Sequence, residues 1–141
     1  MQEKEIIKAK FKALKACVLI PTYNNAKTLE AVISKTLEYC GEVMVVNDGA
    51  TDSTPDIISK FKNLIVVTHP KNKGKGTALR NGFKKAVELC FDYVITIDSD
   101  GQHFPEDFIT LVYERISFTG LPSTSTILSP TFKPDKTALE P

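Results

Sequence analysis

Four short apolar runs, each closed by a polar cluster and followed by a helical pattern, constrain this chain more than any other feature. Cys17-Val18-Leu19-Ile20 stops at Pro21, and Val43-Met44-Val45-Val46 stops at Asn47-Asp48-Gly49. Leu64-Ile65-Val66-Val67 is followed by Thr68-His69-Pro70, and Tyr93-Val94-Ile95-Thr96-Ile97 stops at Asp98. The runs are rich in β-branched residues and lack polar alternation, which predicts strands buried on both faces of a parallel sheet. Between them, Leu29, Val32, Ile33, Thr36, Leu37 and Cys40 recur at helical spacing, as do Leu79, Phe83, Ala86, Val87 and Cys90. Thr54-Pro55-Asp56 reads as an N-cap, an N1 proline and a first-turn acid, with Ile57, Ile58 and Phe61 turned inward. A further helix is expected from Pro105, its first turn carrying Glu106 and Asp107. Strands alternating with helices, joined by right-handed crossovers, predict a doubly wound, Rossmann-like α/β fold with helices on both faces of a mainly parallel sheet.

Composition bounds the possibilities. At 141 residues the chain has the size of one domain. Eighteen Lys+Arg against seventeen Asp+Glu is too balanced for a protein that relies on neutralising nucleic-acid phosphates, so nucleic acid is excluded as a partner. No apolar run is long enough to span a bilayer. Residues 1–15 hold five lysines among Ile6, Ile7, Phe11 and Leu14 and read as a basic helix or extension, not a signal peptide. Cys17, Cys40 and Cys90 are distant and odd in number, each among apolar neighbours. They are expected as buried small hydrophobes in a reducing cytoplasm. Residues 16–116 then form the folded domain. Residues 117–141 hold four Ser, five Thr and four Pro and are expected to be an irregular tail.

Ligands of an open α/β sheet bind beyond the carboxyl ends of its strands, and here each end carries polar side chains. Asp98-Ser99-Asp100 places two carboxylates two residues apart at the end of an extended run. Like charges so close call for a cation, and hard oxygens suit Mg²⁺ or Mn²⁺, with Gln102 able to add a neutral oxygen. Gly74-Lys75-Gly76-Thr77 opens a helix with backbone N–H groups and a lysine that suit phosphate, although it is no Walker loop. Tyr23 can stack on a base or simply roof the sheet edge, Asp48-Gly49 can be a binding group or a tight turn, and His103 reads as a loop residue.

Four motifs in order carry a resemblance: Pro-Thr-Tyr-Asn at 21–24, Val-Asn-Asp-Gly-Ala-Thr-Asp at 46–52, Asn-Lys-Gly-Lys-Gly-Thr-Ala at 72–78 and Asp-Ser-Asp-Gly-Gln-His at 98–103. Over residues 16–112 the chain resembles the nucleotide-sugar-binding part of family 2, GT-A-fold glycosyltransferases, most of all the polyprenyl-phosphate mannose and glucose synthases. The resemblance implies that Pro21 and Tyr23 line the base and ribose pocket, that Asp48 bonds the base, and that Asp98 and Ser99 lie beside the nucleotide. It further implies that Asp100, with Gln102, holds a divalent cation and that Lys75 approaches the nucleotide. Asn25 is implied as a further nucleotide contact but departs from the pattern: relatives often carry Glu there, so the contact becomes a neutral group. The donor is then a UDP- or GDP-linked sugar, and the acceptor is expected to be a lipid phosphate at the inner face of a membrane.

The family pattern continues beyond what this chain shows. A truncated GT-A domain is therefore expected, with no catalytic residue assignable, and homo-oligomerisation through its exposed edge is a further expectation. Two other readings stand beside transfer. One is a catalytically inactive nucleotide-binding domain. The other is a haloacid-dehalogenase-type phosphatase with Asp98 as nucleophile, which Gln102 disfavours because Thr is expected at that position.

Overall fold

The computed structural model describes residues 2–102 and 131–132. The expected helix from Pro105, His103 and nearly all of the 117–141 stretch lie outside them. Nine elements follow in order: α1 (Gln2–Ala13), β1 (Ala16–Thr22), α2 (Ala26–Tyr39), β2 (Val43–Asn47), α3 (Thr54–Ser59), β3 (Leu64–Thr68), α4 (Lys75–Glu88), β4 (Tyr93–Thr96) and β5 (Thr131–Phe132). The sheet order is β3-β2-β1-β4-β5. The first four strands are parallel, and β5, inside the stretch expected to be irregular, pairs antiparallel with β4.

Alternation along β1 and β2 divides the core in two. Ala16, Val18, Ile20, Val43 and Val45 face α1, α2 and α3, together with Leu29, Val32, Ile33 and Ile58. Cys17, Leu19, Met44 and Val46 face α4, where they meet Ala78 and Ala86. The result is three layers, α/β/α. The basic N-terminal segment is part of this core: Ile7 and Phe11, one helical turn apart, are each only 1% exposed. Burying two such side chains contributes on the order of 3–5 kcal/mol, ample to order a two-sided helix against the domain.

Four expectations need correction. β3 is not buried on both faces, because it is an edge strand, and Val66 is 43% exposed. Ser53, not Thr54, is the N-cap of α3, and its side chain caps nothing; Thr54 begins the helix, its N–H bonded instead to Asp52 Oδ1 at 3.0 Å. In the α4 stripe Ala86 is buried as expected and Leu79 and Phe83 pack half-buried against the same cluster, but Ala78 and Gly82, which the stripe omitted, complete the face against the sheet. A Cβ at Gly82 would come within 2.6 Å of Leu19 Cδ1, so close approach selects the small residues. Cys90 is exposed, unlike Cys17 and Cys40. It lies just beyond α4 with φ +64°, where Phe91 N–H bonds Ala86 O and Cys90 N–H bonds Val87 O. That is a Schellman ending, which turns Cys90 outward although its neighbours in sequence are apolar.

Candidate functional site

The sheet changes winding direction at β1 and β4: the chain runs outward from β1 through β2 to β3, then returns to β4 on β1's other side. In a sheet of this kind the crevice beyond the strand ends at such a point is where ligands bind. A cleft of about 280 Å³ opens there, lined by Pro21, Thr22, Tyr23, Asn25, Asp48, Asn72, Lys75, Ala78, Asp98, Ser99 and Asp100. Eight residues singled out in the sequence therefore meet in one place. Gln102 does not line it; its side chain is exposed.

Hydrogen bonds between loops fix the rim. After β1, Asn24 accepts from Thr51 N–H at 2.8 Å, and Ala26 N–H at the start of α2 donates to Asp52 Oδ2 at 3.2 Å. Asn25 does not cap α2 with its side chain; its Nδ2 donates to Ser99 Oγ at 2.7 Å. Thr28, one turn into α2, donates to Ser99 O at 2.5 Å. Ser99 is buried at 3% exposure, so the loop carrying the two aspartates is clasped by α2 through its central residue. The neutral amide of Asn25, the departure noted in the sequence, is what makes that hydroxyl contact.

Asp48 is buried at the end of β2, yet its carboxylate is richly satisfied. Oδ1 accepts from His69 Nδ1 at 2.7 Å and Lys73 N–H at 2.9 Å, and Oδ2 accepts from Gly74 N–H at 2.9 Å. Burial alone would raise its pKa, but these donors outweigh burial and hold it below the usual carboxylate range. Asp48 thus ties the turn before α4 to the sheet. Gly74 in that turn has φ +96°, a conformation glycine adopts without strain.

Across the cleft Lys75 Nζ pairs with Asp98 Oδ1 at 2.6 Å, both side chains well exposed. Asp100 Oδ1 accepts from Gln102 N–H at 3.0 Å, which folds the loop back on itself. Asp98 and Asp100 bring hard carboxylate oxygens to the same cleft. Among the described residues no larger group of His, Cys, Asp and Glu gathers to hold a metal. Such a pair fits Mg²⁺ or Mn²⁺, which take one or two carboxylates and complete their shell with phosphate oxygens and water.

Some of the lining was missed in the sequence. Thr22 lines the cleft and is buried, its Oγ1 lacking any partner among the described residues. Ala78 lies one turn after Lys75 on the same face of α4, and that spacing could have revealed it. Nothing in the pattern marked His69 as a partner of Asp48, because that contact joins residues 21 apart through strand pairing.

The glycosyl transferase family 2 sequence model matches residues 17–123. A UDP-N-acetylglucosamine–dolichyl-phosphate N-acetylglucosaminyltransferase of Methanococcus voltae is 30% identical over 117 residues, 71% of this chain and 47% of that protein. An undecaprenyl-phosphate 4-deoxy-4-formamido-L-arabinose transferase of Pectobacterium carotovorum is 34% identical over 106 residues, 67% of this chain and 32% of that one. Among solved structures, glucosyl-3-phosphoglycerate synthase of Mycobacterium tuberculosis, in complex with Mn²⁺, UDP-glucose and phosphoglyceric acid, superposes with TM-score 0.63. It is 26% identical, and the match covers 83% of this chain and 44% of that one. TarS of S. aureus superposes with TM-score 0.61 at 26% identity over 74% of this chain and 33% of its own. This chain therefore spans less than half the length of these relatives.

Proposed function

The chain belongs to glycosyl transferase family 2 and has the GT-A fold, and on that premise we propose that its cleft binds the donor of a sugar transfer to a lipid phosphate. The donor is a sugar linked to UDP or GDP. The observation that carries this reading is the meeting of Tyr23, Lys75, Asp98 and Asp100 around one cleft at the point where the sheet changes direction. Tyr23, 43% exposed above Pro21, offers a ring face to the base. Asp48 has three acceptor positions occupied and keeps one for a base N–H. Among the described residues Lys75 is the sole cationic side chain lining the cleft, and it exchanges Asp98 for the diphosphate, which frees Asp98 for the ribose hydroxyls. Ser99, bound on both sides by α2, keeps Asp98 and Asp100 in place.

Asp100, with Asp98 beside it or Gln102 after it, would hold Mg²⁺ or Mn²⁺. When bound, such an ion supplies positive charge against the leaving diphosphate. Lys75 acts on the same charge from the other side of the cleft, where a fixed cation stabilises negative charge as the glycosidic bond breaks. A phosphate acceptor is already an anionic nucleophile and needs no base. A hydroxyl acceptor would need one, and among the described residues the cleft carboxylates are all committed to binding or positioning. Attack from the face opposite the diphosphate inverts the anomeric carbon. The relatives that use dolichyl- and undecaprenyl-phosphate acceptors support the lipid-phosphate reading. A lipid-phosphate acceptor would bring the protein to the cytoplasmic face of a membrane as a peripheral protein, which is part of the same proposal; among the described residues no helix is long and apolar enough to cross one.

The test measures nucleotide binding with Mn²⁺ and sugar transfer to polyprenyl phosphate in one sample, across UDP- and GDP-sugars. Binding with transfer is the expected result. Binding without transfer identifies a donor-binding domain that is inactive by itself, and failure to bind any nucleotide sinks the reading.

A further inference from the structure

We propose that His69 is a positioning residue for this cleft: through Asp48 it holds the Lys73-Gly74 turn, and with it Lys75, in place. The inference rests on reading the cleft as a nucleotide site. His69 itself does not line the cleft and is 5% exposed. It follows β3, with its backbone N–H bonded to Asn47 O at 2.9 Å, so the parallel pairing of β2 and β3 extends one residue to carry it beside Asp48. Both ring nitrogens are used. Asn81 Nδ2 lies 2.8 Å from Nε2, and Asp48 Oδ1 lies 2.7 Å from Nδ1. An amide donor at Nε2 leaves the ring proton on Nδ1, where it is donated to the carboxylate.

These bonds close a circuit. Asn81 stands six residues beyond Lys75 on α4, and the Lys73 and Gly74 amides immediately precede that helix. Asn81 holds His69, His69 holds Asp48, and Asp48 holds the two amides. The start of α4 is thereby fastened to the ends of β2 and β3 at two levels. A buried polar chain with every member satisfied is rigid, whereas removing one member leaves the others buried and unpaired. Without His69, Asp48 loses one of its three donors and can rotate, so the acceptor of the Gly74 turn, whose φ is +96°, is no longer held in place.

His69→Ala, His69→Asn and Asn81→Ala test this in the full chain. Asn at position 69 places an amide nitrogen the same number of bonds from Cβ as Nδ1, so it keeps the donor to Asp48 and surrenders only the reach to Asn81. Amide hydrogen exchange at Lys73 and Gly74, read by NMR without nucleotide, is expected to accelerate at least tenfold in His69→Ala and to return toward wild type in His69→Asn. Titration with UDP and Mn²⁺ is expected to show roughly tenfold weaker binding in His69→Ala, about the effect of one charged hydrogen bond, with His69→Asn again restoring it. Asn81→Ala is expected to fall between them in both measurements. A purely structural loss would lower stability in both His69 variants without this rescue. Unchanged exchange at the two amides in His69→Ala overturns the proposal, whatever nucleotide does. Unchanged UDP affinity beside accelerated exchange overturns the link to the cleft. If the wild type binds no nucleotide, the functional reading fails separately, and the exchange measurement still decides whether His69 positions the turn.

Discussion

A Cβ added at Gly49 would lie 2.2 Å from the carbonyl carbon of Lys71 and 2.4 Å from the nitrogen of Asn72, and the residue has φ +71°. Backbone rather than a flexible side chain fills that space, so nothing can move aside cheaply. Gly49→Ala is expected to cost about 3 kcal/mol or more in urea unfolding, the sum of left-handed strain and collision with the loop that Asp48 anchors. Gly41→Ala, where no atom lies within 4 Å, is the control, expected to change stability by less than about 0.5 kcal/mol. The cysteines give a second prediction. Burial raises the thiol of Cys40 to about 11 and pushes that of Cys17 up further, while Cys90 is exposed. A thiol reagent under native conditions is expected to modify Cys90 alone, and mass mapping that found Cys17 or Cys40 labelled at a similar rate would contradict the packing. The sequence suggested three buried thiols because Cys90 has apolar neighbours. What decides its exposure is the helix ending that follows Glu88, which local composition does not encode.

At the scale of elements, the strands and their polar ends were legible because β-branched runs and abrupt polar stops are local signals. Pro21, Tyr23, Asp48, Lys75, Asp98 and Asp100 could all be located from them, and the sheet order then gathers these residues into one cleft. Contacts between elements were not legible. Leu79 and Phe83 looked like the core stripe of α4, but the helix packs so close to β1 that Ala78, Gly82 and Ala86 take the buried face. Asn25 was legible as a nucleotide-contacting position, but its bond to Ser99 was not, because that partner lies 74 residues away. The Asp48 junction between β2, β3 and α4 is the clearest case, and it makes a pH prediction. Its carboxyl is lowered below the ordinary value of 3.8, so the native state favours the ionised form. The stability this contributes is present in full above that ordinary value and is lost as pH falls through the lowered one. Unfolding midpoints measured from pH 5 downward should therefore drop in the wild type below about pH 4 more steeply than in Asp48→Asn. At neutral pH, Asp48→Asn is expected to be less stable by about 2 kcal/mol, since its amide presents a donor to groups that are themselves donors. Equal acid slopes in the two proteins would show that Asp48 is not charged in this junction.

For the whole molecule, the layers that bury the core also determine how binding should register in stability. α1, α2 and α3 cover one face of the sheet and α4 the other, while the cleft loops come from both sides. A ligand in the cleft therefore bridges the start of α4 to the loops after β1 and β4 and is coupled to unfolding of the sheet itself. A ligand at ten times its dissociation constant stabilises the native state by about 1.4 kcal/mol. For a folded unit of roughly 100 residues that corresponds to a rise in melting temperature of about 5–10 °C. UDP or GDP with Mn²⁺ is expected to produce such a rise, and the nucleotide alone a smaller one. Asp100 is exposed, and its bond from Gln102 N–H is local to its own loop, so Asp100→Ala should melt close to the wild type without ligand. The same variant should lose the increment that Mn²⁺ adds while keeping the part that nucleotide gives alone. Lys75→Ala, which removes an exposed ion pair worth little to the fold, should instead reduce the nucleotide part in the presence and absence of the ion. Two variants at opposite walls of one cleft thus separate the cation's share of binding from the protein's own. An Asp100→Ala protein whose Mn²⁺ increment equals that of the wild type would remove Asp100 from the metal site and leave the nucleotide site standing.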